Sequence, residues 1–112
     1  MNPAGRDIEH ARRALEHLAV LRRHVERHGL DDEVSIDAVC LRLASSIEAA
    51  SRLSDGARDD AFGTSWPAIW ATRNRIAHDY LEVDRAIIPA TVEVDLPAFE
   101  ESLARLTRRL GS

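Results

Sequence analysis

A chain of 112 residues is the size of one domain and leaves no room for a second independent core. Hydrophobic residues at 45% and charged residues at 30% exclude a disordered chain, and only four Pro and five Gly exclude a turn-rich sandwich or barrel. Fifteen basic against nineteen acidic side chains give a net charge of −4, which excludes RNA binding through an overall basic surface, so any RNA contact must be local.

The N-terminal stretch MNPAGRDIEH has no apolar signal core, and no apolar run approaches the roughly 20 residues of a membrane span, so a cytoplasmic protein is expected. A first amphipathic helix is expected over residues 6 to 28, where Ile8, Ala11, Leu15, Leu18, Leu21 and Val25 recur at three- and four-residue spacing and Gly29 ends the run. A second, over 34 to 53, carries Ile36, Val39, Cys40, Leu43, Ile47 and Ala50 on one stripe behind the acidic turn Asp31-Asp32-Glu33. Cys40, the single cysteine, is therefore expected in the core. Residues 54 to 65, SDGARDDAFGTS, read as the longest surface loop, with Ser65 as the N-cap of the next helix. That third helix starts at Trp66-Pro67, where proline is tolerated, and continues through Ile69, Trp70, Ile76 and Ala77. Ile88, Val92, Leu96, Phe99, Leu103, Leu106 and Leu110 form a last stripe that crosses Pro97 without changing register. It predicts one helix starting around 85 to 88, where Pro89 is tolerable, and kinked at Pro97. The resulting fold class is all-α, an antiparallel four-helix bundle forming a single domain.

The third stripe is interrupted by a cation. Arg73 shares a face with Trp66, Ile69, Trp70 and Ile76, and a buried guanidinium needs a carboxylate or a function. Glu48, beside the apolar stripe of the second helix, is the expected partner, and a buried Arg73–Glu48 ion pair with no further role is the plainest explanation. The next residues add chemistry, for RNRIAHDY places His78 five positions after Arg73. Imidazole moves protons near neutral pH and guanidinium stabilises a charged phosphorane, the two functions that RNA transesterification needs. Five helical residues turn about 140°, so the pair converges only if the helix end unwinds or two chains share one site.

Arg73, four intervening residues, His78, one residue and Tyr80 resemble the Arg-x4-His-x-Tyr motif of HEPN domains. The flanks are similar to the HepT family in particular: Trp66-Pro67 and Ile69 before Arg73-Asn74, then Val83-Asp84 and Leu96-Pro97, with AVCLRLASSIEAASRLS placing Glu48 at its usual acidic position. The likeness covers residues 34 to 110, while the first helix matches only as a generic amphipathic segment. The resemblance implies a homodimer whose motif ends meet at the two-fold axis in a composite cleft. It implies a metal-independent endoribonuclease toxin with Arg73 and His78 catalytic, Asn74 and Glu48 supporting, and Arg75 binding RNA. It also implies an MNT-type nucleotidyltransferase antitoxin that transfers AMP to Tyr80, a residue that the stripe alone would read as a packing ring. The alternatives are a catalytically inactive HEPN module that docks a nucleotidyltransferase, and a plain helical dimer.

No Gly-rich phosphate loop, zinc-ligand spacing or hydrolase elbow is present, so no cofactor is expected. His24 and His28, one helical turn apart, lack the further ligands of a metal site, and a solvated face is the default for them.

Overall fold

The computed structural model describes residues 2–78 and 87–111. Tyr80, Val83 and Asp84 lie outside the described residues, which contain helices and no strand.

Helix α1, Pro3–His28, begins three residues before the expected start at residue 6. Asn2 supplies the reason: its side-chain oxygen accepts the Gly5 N–H at 2.7 Å, and Pro3 fills the first position, where no amide hydrogen is needed. The helix ends at Gly29, whose φ of 70° suits a residue without Cβ. Helix α2, Glu33–Ala50, is capped by Asp32, which accepts the Ser35 N–H at 2.7 Å. That hydrogen bond holds the Asp32 carboxyl below its usual pKa, helped by His24 and His28.

The long loop expected at 54–65 is instead mostly helix. Ser54 caps α3, Asp55–Phe62, and a single 3₁₀ turn, Gly63–Ser65, leads straight into α4, Trp66–His78. Ser65 therefore lies inside the turn and is not the isolated cap its sequence context predicts. The reason is tertiary. Ala61 and Phe62 are buried, and Asp7 of α1, itself only 6% exposed, accepts both the Ser54 N–H at 2.8 Å and its hydroxyl at 2.7 Å. A polar sequence with weak helix propensity is thus pinned at its cap and anchored by an aromatic ring.

Residues 88–110 are helical throughout and start at the expected point. An opening turn, Ile88–Ala90, passes into a wider π segment, Thr91–Asp95, and then into the C-terminal helix, Leu96–Leu110. Pro97 has no N–H to donate, and its ring would crowd the carbonyl four residues back. The Leu96 N–H bonds to the Thr91 carbonyl five residues earlier, so the distortion expected at Pro97 takes the form of a π turn just ahead of it.

The core lies between α1, α2 and the C-terminal helix: Ala11, Ala14, Leu18 and Leu21 meet Val39, Leu43 and Ile47, closed by Leu96, Phe99, Leu103 and Leu106. Cys40 is buried among them. Small residues bring α1 and α2 close, and the buried Ser46 hydroxyl donates to the Ala14 carbonyl at 2.8 Å. Arg22 of α1 grips Glu100 of the C-terminal helix with two nitrogens, at 2.9 to 3.1 Å. Among the described residues, no helix is long and apolar enough to cross a membrane.

Asp7→Ala removes two hydrogen bonds from a buried site and should cost about 2 kcal/mol in urea unfolding, against less than about 0.5 for the exposed Glu93→Ala. Equal losses would show that Ser54 does not need its carboxylate.

His17 generates a pH prediction. Its Nδ1 lies 3.2 Å from the Arg42 guanidinium across the α1–α2 seam. Burial first, then the Arg42 charge, hold its pKa below 6.5 despite the upward pull of Glu16. The unfolded chain therefore binds the proton more readily than the folded one. The stability that His17 contributes is complete above the unfolded value and is lost as pH falls below it. Wild type should lose more stability between pH 7.5 and 5.5 than His17→Gln does, and parallel curves would contradict the assignment.

Candidate active site

Helix α4 carries the motif residues and packs chiefly on α2. Of its side chains only Ile76 is fully buried, while Trp66, Ile69 and Trp70 are partly buried against the core. The stripe that looks continuous in sequence is therefore a half-exposed seam.

Arg73 sits on that seam and is brought to Glu48, as expected, with Nη2 3.5 Å from Oε1. The expected burial is not found. The Arg73 side chain is 20% exposed and that of Glu48 47%, so water reaches the pair from the Glu48 side. Two further contacts fix the guanidinium. Nη1 donates to the Asn74 side-chain oxygen at 3.0 Å, and Cζ lies 4.8 Å from the Trp70 ring centre. Asn74 thus touches Arg73 directly. The Trp70 contact was missed in the sequence, although an aromatic residue three positions before an arginine on a helix is a readable signal.

His78 is the last residue of α4 and is exposed, as is Arg75 one turn earlier. The helix does not unwind before His78, so Arg73 and His78 keep their angular separation of about 140°. One chain alone does not bring them together.

The two flanks of α4 differ. One presents Trp66, Trp70, Asn74 and His78, successive residues four apart. The other faces an open, mainly apolar groove of about 540 Å³ between α4 and residues 87–102, with Arg75 and Asp95 among its lining and the exposed Ile87 and Val94 beside it. Nothing in the helical periodicity marks this groove, because it arises where α4 stands apart from the C-terminal helix. His24 and His28 stack with ring centres 4.8 Å apart, and among the described residues no three His, Cys, Asp or Glu side chains converge on a metal position.

The family model described as Ribonuclease HepT-like matches residues 11–106, which takes in most of α1, all of α2 to α4 and most of the C-terminal helix. The chain belongs to the HepT-like ribonuclease family. No match was found among curated proteins or among solved structures. In this HepT-like chain the match extends through α1, well beyond the segment whose sequence alone suggested the family.

Because Glu48 is half-exposed and makes one contact at 3.5 Å, breaking the pair should be mild. Arg73→Ala should cost about 1 kcal/mol in urea unfolding, ion pair and ring contact together. A loss of 3 kcal/mol or more would restore the buried pair.

Proposed function

We propose that this HepT-like chain is the toxin of a toxin–antitoxin pair: a metal-independent endoribonuclease that works as a homodimer and is silenced by an MNT-type nucleotidyltransferase antitoxin that adds AMP to Tyr80. The observation that carries the reading is the state of Arg73. It is held at the α2–α4 seam by Glu48, Asn74 and Trp70, while His78 stands exposed at the end of the same unbroken helix.

The chemistry follows from those two groups. His78 takes the proton of the RNA 2′-hydroxyl, the oxygen attacks the neighbouring phosphorus, and the bond to the 5′-oxygen breaks as the protonated imidazole returns that proton, through water, to the departing oxygen. Arg73 neutralises the charge that builds on the phosphoryl oxygens. Asn74 keeps the guanidinium oriented, and Arg75 draws the backbone in. Because the two groups diverge on one helix, the working site takes Arg73 from one subunit and His78 from the other. The apolar groove with exposed Ile87 and Val94 beside it supports association with a second copy. A nucleotide on the Tyr80 phenol, two residues from His78, would fill the cleft with negative charge and repel RNA.

Wild type should cleave single-stranded RNA in EDTA, whereas His78→Ala and Arg73→Ala each lose at least about 100-fold. Cleavage that stops in EDTA would contradict the mechanism. Intact protein that binds a nucleotidyltransferase but leaves RNA whole would identify an interaction module instead. Co-expression with the antitoxin should add AMP to the wild type and leave Tyr80→Phe unmodified by peptide mass, and AMP on any other residue would remove the role given to Tyr80.

A further inference from the structure

Four side chains form a ladder on the outer flank of α4. The Arg58 guanidinium lies 5.2 Å from the Trp66 ring centre, Trp66 stacks on Trp70 at 5.9 Å with planes 23° apart, and the Arg73 guanidinium lies 4.8 Å from Trp70. Phe62 backs the ladder, 5.6 Å from Trp66. Both indoles are partly exposed. They are the only tryptophans of the chain and belong to the same four-residue row as Asn74 and His78, each step rising about 6 Å and turning about 40°.

Packing alone does not account for this arrangement. Large rings used as core filler would be buried as Phe62 is, whereas each of these half-exposed indoles carries a guanidinium on its face, Arg58 held there by Asp55 and Arg73 by Glu48. Aromatic faces interleaved with arginines are what a single nucleic-acid strand needs, because every base has a π-face and every phosphate a charge. The net charge of −4 makes this more pressing, since binding through counterion release alone would be weak. Stacking supplies affinity that does not depend on overall charge.

We propose that Trp70, with Trp66 behind it, is a base-stacking platform for single-stranded RNA. A base next to the scissile phosphate takes the indole face that Arg73 now covers, and the guanidinium turns from the ring to the phosphate. The single, half-exposed Glu48 contact lets go without leaving a buried charge. The arrangement selects unpaired RNA, because a base already stacked in a duplex has no free face to offer. This inference rests on the nuclease reading for the position of the phosphate, but the platform itself is tested by binding.

The experiment uses the full chain carrying His78→Ala, so that RNA stays intact, with Trp66→Phe added to make Trp70 the sole indole. Titration with a single-stranded oligonucleotide should quench the fluorescence, and the same sequence annealed to its complement should quench far less. Trp70→Leu in the His78→Ala protein should weaken single-strand binding about fivefold or more. An oligonucleotide with an abasic site beside the cleaved bond should lose affinity to a similar degree, and the two losses should not add. The abasic arm leaves the protein untouched, so it decides the matter even if Trp70→Leu folds poorly. Equal binding of duplex and single strand, or abasic RNA bound as tightly as intact RNA, would overturn the proposal. So would Trp70→Leu protein that folds and binds unchanged, or that turns monomeric because the indoles pack against a second copy. Wild type that binds in this way without cutting would sink the nuclease reading and leave the platform, whereas cutting that ignores Trp70 and the abasic site would do the reverse.

Discussion

Among the described elements helix α4 leans mainly on one neighbour, and that constraint shapes the candidate site. With α2 as its chief support it buries Ile76 and little else completely, so both flanks stay open. The seam itself holds Arg73 at the level of Glu48. One flank becomes the aromatic and arginine ladder that leads to His78, and the other becomes the apolar groove. A fully packed α4 would have buried both flanks.

The rest of the fold makes this loose attachment tolerable. The α1, α2 and C-terminal helices form the tight part of the bundle, joined by the buried Ser46 hydrogen bond and by the Arg22–Glu100 clasp. Asp7 extends that hold to α3 through Ser54, and α3 with its 3₁₀ turn fixes where α4 begins. Stability and site are thus carried by different residues. Positive charge is divided between the two flanks of α4, with Arg58 and Arg73 on the tryptophan side and Arg75 on the groove side.

Much of this was legible in the sequence because apolar spacing is a strong signal. The long helices, the buried cysteine, the tolerated Pro89 and the disturbance at Pro97 follow from three-four periodicity and proline sterics, as does the Arg73–Glu48 contact. Helix α3 was hidden because its residues are polar and its stability comes from Asp7, 47 positions before Ser54. The exposure of the Arg73–Glu48 pair was hidden for a related reason. A stripe shows which face turns inward but not how many helices cover it, and among the described elements α2 alone covers most of α4. The groove is a gap between two elements and leaves no trace in either one. Asn74 was singled out by family likeness alone, and the geometry adds its contact to Arg73.

Under the proposed function, Arg73 and His78, kept apart on one helix, complete a single site across two subunits. Subunit mixing tests it most directly. Arg73→Ala and His78→Ala proteins, each inactive alone, are combined and allowed to exchange. Every mixed dimer then holds one site with both residues intact, so activity should return to about one quarter of wild type at equal mixing. A mixture that exchanges subunits and stays inactive would show that each chain supplies both residues to its own site, and the composite account would be wrong.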